Sequence, residues 1–146
     1  MYEFIQKFHS GWAYLALLLL VVALVNSTLG LTSKREFTPR DRKIALFGLI
    51  SIHIQLVLGL ILYFVSDLGF RLFSTVGTKE VMKTAAYRLT AVEHPAINII
   101  AIVFITIGWS KHKRKADSNA KFKSIAVFYA LGLLLVLSRI PWSLWF

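Results

Sequence analysis

The residues in this chain whose types and spacing best suit chemistry are its histidines. There are four, His9, His53, His94 and His112, with no cysteine and seven carboxylates, of which one, Glu93, falls inside a long apolar run. Without cysteine there is no thiolate for an iron–sulfur cluster, for Cys-ligated zinc or for covalent haem attachment, and no cysteine nucleophile. Any metal must be held by His or carboxylate. Imidazoles inside a helical membrane bundle serve as axial haem ligands, proton carriers, hydrogen-bond donors to a quinone, or hydrogen bonds between helices. Glu93 beside His94, with Arg88 and Arg139 toward the same end, tips the reading to a functional site, because cations there suit the propionates of a haem whose iron takes an imidazole. His112 lies in the basic run 111–115 and is expected to be a solvated loop residue. No hydrolase triad, P-loop or carboxylate dyad is present. A chain this short leaves little room for an independent catalytic domain.

The elements that position these residues are membrane spans. Of 146 residues, 57% are apolar and 16% charged, against about 25% charged in soluble domains. A hydrocarbon core about 30 Å thick needs roughly 20 helical residues. Four runs meet that length: residues 11–31, 44–66, 91–110 and 124–142. They lack the alternation of a barrel strand, which predicts an all-α integral membrane four-helix bundle forming one membrane domain. The loop 67–90 contains a short amphipathic helix from Lys79, with Val81, Met82, Ala85 and Leu89 on one face, expected to lie along the membrane interface.

The net charge of +10 would suggest nucleic acid in a soluble protein, but eleven of the seventeen Lys and Arg residues lie in the two segments between spans, 32–43 and 111–123. The positive-inside rule then places these segments in the cytoplasm and both termini on the non-cytoplasmic side. The partners expected are membrane lipids and other inner-membrane subunits, with no nucleic acid. Trp12, Trp142 and Trp145 would sit at the outer interface and Trp109 at the inner one.

Residues at helical spacing line up two stripes of small side chains. One joins His9, Ala13, Ala16, Leu20, Ala23 and Ser27; the other joins His94, Asn98, Ala101, Ile105 and Gly108. Small stripes let helices approach closely, so both are expected at the bundle seam, each headed by a histidine. In the second span Gly48, Ser51, Gln55 and Gly59 share a face, while His53 lies with Leu46, Leu60 and Phe64, and both faces are expected to be packed. Counting about 1.5 Å per residue from the basic ends, His53 lies roughly 15 Å, His94 roughly 25 Å and His9 roughly 37 Å along the bundle. That is a ladder, which one iron with two axial histidines accommodates only through tilt, helix offset and side-chain reach, and which also suits proton or quinone traffic.

The chain resembles the small four-helix inner-membrane proteins labelled cytochrome b-like. The resemblance rests on Phe8-His9-Ser10, on the run Ile52 to Leu56 with Gly59 and Leu62-Tyr63-Phe64, on Glu93-His94, on Ile105 to Gly108, and on Ile140-Pro141-Trp142. It covers nearly the whole chain. It implies a multi-pass protein of the inner (cytoplasmic) membrane that serves electron transfer, with haem b as cofactor or an association with quinone, ahead of a stand-alone enzyme. His9, His53 and His94 are then the positions for metal ligation, and Glu93 a carboxylate beside the ligand or a proton-handling group, with Arg139 near it. The competing expectation is a haem-free accessory subunit of a larger inner-membrane complex.

Overall fold

A computed structural model describes residues 1–145, and every regular element among them is helical. In chain order these are α1 (Tyr2–Ser33), α2 (Pro39–Val65), the short α3 (Leu72–Thr75), α4 (Thr78–Lys83) and α5 (Ala85–Arg88), then α6 (His94–Arg114), α7 (Ser118–Ser138) and α8 (Trp142–Trp145). A turn of π-helix, Leu89–Glu93, joins α5 to α6, so that Ala85–Arg114 runs as one helix of 30 residues. This helix, α1, α2 and α7 are each long and apolar enough to cross a membrane. Helix α1 and the Ala85–Arg114 helix outrun the expected spans at the ends away from the basic loops, α1 starting at Tyr2 instead of residue 11, whereas α2 is longer at its basic end, starting at Pro39 instead of residue 44. The fourth ends at Ser138, where Pro141 turns the chain into α8.

The long helices form a membrane four-helix bundle in which α1 packs on α2 and α7, and α6 on α7 and α2, leaving α1 and α6 diagonally opposed. Both expected seams are inside. Ala16, Leu20, Ala23 and Ser27 on α1, and Ala101, Ile105 and Gly108 on α6, are buried. Large apolar residues such as Leu18, Phe47, Phe64 and Leu134 point outward. That inverts a soluble core and follows membrane logic: lipid tails are as apolar as leucine, so helices gain by close approach of small residues. At Gly132 of α7 an added Cβ would collide with the Ile105 side chain and lie 3.0 Å from the carbonyl of Ala101.

At the basic end the α1–α2 turn is locked by a buried carboxylate. Asp41, 3% exposed, accepts two hydrogen bonds from Arg35 at 2.8 Å each, one from Asn26 at 2.9 Å, and two from Thr38 (backbone N–H and hydroxyl) at 2.9 Å. The side-chain hydrogen bond to Asp41 raises the already high pKa of Arg35. The turn is tied onward to α7, where Phe37 N–H donates to Ser118 Oγ at 2.8 Å.

At the other end the segment between α2 and α6 folds over itself, with Leu72, Val81 and Ala91 buried together. The expected amphipathic helix from Lys79 is broken at Thr84, which adopts an extended conformation between α4 and α5. Val81 is buried but Met82 and Ala85 are exposed, so the break divides the predicted apolar face.

Candidate functional site

A cavity of about 200 Å³ opens at the end of the bundle away from the basic loops. His9 of α1, Gln55 and Gly59 of α2, and His94 and Asn98 of α6 line it, with the α7–α8 turn closing one side. His9 and His94 meet across it. Their ring centres are 6.3 Å apart and their planes nearly perpendicular, at 86°. The two histidines therefore share a level, which corrects the expected ladder.

The physical reason lies at the basic end. Asn26, not Lys34, bonds to Asp41, so the last two turns of α1 overhang the start of α2. Helix α6 likewise runs to Arg114, beyond Lys111. Basic residues that end apolar runs mark where charge begins, not a common depth.

Each histidine is oriented by its neighbours. His94 Nδ1 lies 2.8 Å from the carbonyl oxygen of Arg139. A carbonyl only accepts, so Nδ1 carries the proton and Nε2 keeps its lone pair. That carbonyl is free because α7 stops there, leaving an acceptor without an intrahelical partner. A ring nitrogen fixed by a backbone carbonyl is the usual preparation of a metal-ligating imidazole. Asn98 Nδ2 donates to His94 O at 2.6 Å.

Opposite, Gln55 Nε2 donates to the His9 carbonyl at 3.0 Å. His9 Nδ1 and Gln55 Oε1 are both buried without a hydrogen-bond partner. Buried polar atoms of this kind are rare and point to a group that completes them. A Cβ on Gly59 would come within 3.1 Å of His9 Cε1, so Gly59→Ala should push the His9 ring away from His94 without touching either histidine. Intact folding by circular dichroism with a weakened His9–His94 site checks this.

Glu93 sits at the rim and bridges two guanidinium groups. Arg88 Nε donates to Glu93 Oε1 at 2.8 Å, and Arg139 Nε approaches Oε2 at 3.4 Å. All three side chains are about one-third to one-half exposed. This rim joins α5, the π-turn and the end of α7 directly above His94. Tyr63 adds a tie that the sequence reading missed: its hydroxyl donates to Ala91 O at 2.9 Å. Pro95, four residues on, has no N–H to offer that carbonyl. The proline was the available signal.

His53 and His112 lie elsewhere. His53 is exposed on the outward side of α2, its Nδ1 2.7 Å from Leu49 O, in a shallow depression formed by Leu49, Ile50, Ile54, Val57 and Leu58. The expectation that its face is packed within the chain is not met. One face of α2 is taken by α1 through Gly48, Ser51 and Gln55, and His53 is rotated away from it. His112, expected in solvent, is 2% exposed. Helix α6 continues through it, and its ring packs on Trp109 at 4.5 Å and Phe37 at 5.4 Å. Trp109 is itself buried among these groups instead of lying in a peripheral belt.

Among the described residues no three His, Cys, Asp or Glu side chains converge as a metal-binding group. The site offers two imidazoles. Comparisons with protein families, with curated proteins and with solved structures find no match.

Proposed function

We propose that the chain is a small cytochrome b-like electron-transfer protein of the inner membrane that holds haem b between His9 and His94. The observation that carries this reading is the 6.3 Å separation of two imidazoles on diagonal helices, facing one cavity. Two imidazoles this close, facing one cavity from different helices, could both donate to a single haem iron. A quinone headgroup hydrogen-bonded at both carbonyls would need its donors much further apart. The unpartnered His9 Nδ1 and the carbonyl-fixed His94 ring support the same donor set. When bound, haem supplies reversible one-electron exchange at iron. The chain's part is to align both imidazoles, to exclude water with Leu56, Ile102 and Val136 around them, and to place Arg88 and Arg139 where a propionate can compete with Glu93 for a cation. His53 has no part in this site.

A second reading has one observation of its own. The cavity of about 200 Å³ is smaller than the roughly 300 to 1000 Å³ of sites that enclose a small molecule. A macrocycle there has to extend between the helices. A haem-free accessory subunit of a larger inner-membrane complex needs no such space, its histidines acting as interhelical hydrogen bonds. An absorption spectrum of protein purified from its native membrane separates the two. A Soret band with reducible α and β bands is expected; a colourless preparation that co-purifies with a large complex overturns the haem reading.

The basic loops set the orientation of this reading, with the histidine cavity on the non-cytoplasmic side. A reporter fused at the C-terminus is expected to register as external and one inserted at Asp117 as cytoplasmic. The same side for both would mean that a span has been miscounted, and exchanged sides would reject the orientation.

A further inference from the structure

Away from the histidine cavity, cations from three helices gather on one aromatic cluster at the basic end. The Arg42 guanidinium of α2 lies 5.6 Å and the Lys113 ammonium of α6 5.8 Å from the centre of the Trp109 ring. Lys121 of α7 lies 5.5 Å from the centre of Phe37. His112 packs at a tilt against both Trp109 and Phe37 beneath them, with ring centres 4.5 and 5.4 Å apart. Among the described residues none of the three cations is in an ion pair with a carboxylate. Asp41 is taken by Arg35, and Asp117 accepts from Ala120 N–H at the start of α7. Rings at van der Waals contact with one another hold these charges in place and reduce the entropy that long side chains lose when they bind.

We propose that this cluster is a binding site for the phosphate headgroup of an anionic phospholipid in the leaflet at the basic end. Arg42 and Lys113 would grip the phosphate from the two sides of the α2–α6 seam, and Lys121 would approach from α7. A lipid is favoured over a free phosphate because the helices below the cluster present apolar side chains outward, including Phe47, Ile50 and Val103, along which acyl chains can lie. Basic pockets between spans on this side of a membrane recognise such headgroups. The inference stands apart from the haem reading and survives its failure.

The test uses the full chain in nanodiscs of phosphatidylcholine doped with phosphatidylglycerol, with bound lipid counted by native mass spectrometry after mild detergent release. Arg42→Gln, Lys113→Gln and Lys121→Gln together should lower phosphatidylglycerol retention by about 100-fold, at roughly fivefold per cation. Arg40→Gln, Lys115→Gln and Lys123→Gln, which remove the same charge from positions off the aromatic cluster, should change it little. The charge-preserving Arg42→Lys, Lys113→Arg, Lys121→Arg variant should retain lipid, which separates loss of the site from loss of the fold. Equal losses in the two glutamine variants would reduce the effect to net charge and overturn the proposal. Displacement of the lipid by millimolar inorganic phosphate would overturn it in favour of a free anion.

Discussion

Replacing His94 with alanine should bleach or shift the Soret band of the purified protein while leaving it in the membrane at normal abundance. Two properties of the residue make this the largest effect expected. His94 faces His9 across the cavity at 6.3 Å, and its ring is fixed by Arg139 O with Nε2 left to ligate. Haem held by two axial imidazoles loses its low-spin spectrum when either is removed, so His9→Ala should act alike. His53→Ala and His112→Ala should leave the spectrum unchanged, because neither ring reaches the cavity. Insertion follows from the apolar spans and basic loops, and one imidazole does not alter it. If the wild type is itself colourless and His94→Ala instead weakens association with a larger complex, the accessory-subunit reading replaces this one.

The second large effect falls on stability. Asp41 is a nearly buried acceptor of five hydrogen bonds from Asn26, Arg35 and Thr38, and its removal strands those donors at the α1–α2 turn. Breaking a fully buried ion pair costs about 3 to 5 kcal/mol. Arg35 is 39% exposed and rehydrates in part, which lowers the expected cost of Asp41→Ala to about 2 to 3 kcal/mol. In a chain of this size that is a fall of about 5 to 10 °C in the thermal midpoint in detergent. Asp117→Ala, which removes an exposed helix cap, should cost about 1 kcal/mol. Equal shifts for the two would mean that the Asp41 lock contributes no more than a cap. The Asp41 variant should also keep its spectrum, since the lock and the histidine cavity lie at opposite ends of the bundle. The two substitutions thus dissociate fold from site.

Much of the architecture was legible in the residues. Four apolar runs with basic loops between them predict the spans, and helical spacing puts Ala16, Leu20 and Ala23, and Ala101 and Ile105, on the faces that the structure buries. Glu93 and Arg139 are far apart in the chain, yet their placement toward one end anticipates the ion pair seen between them. These properties belong to single helices, and a period of 3.6 residues determines them. Only the tertiary structure decided that His9 and His94 stand level, that His53 looks outward and that His112 is buried. Periodicity says nothing about how far one helix slides along another, and the overhang of α1 past Asn26 is such a slide. Nor does hydropathy tell a lipid-facing side from a packed one, because both are apolar in a membrane. What discriminates is close approach, as between Gly132 and Ile105 or Gly59 and His9, and that is a relation between helices that exists only once they are packed.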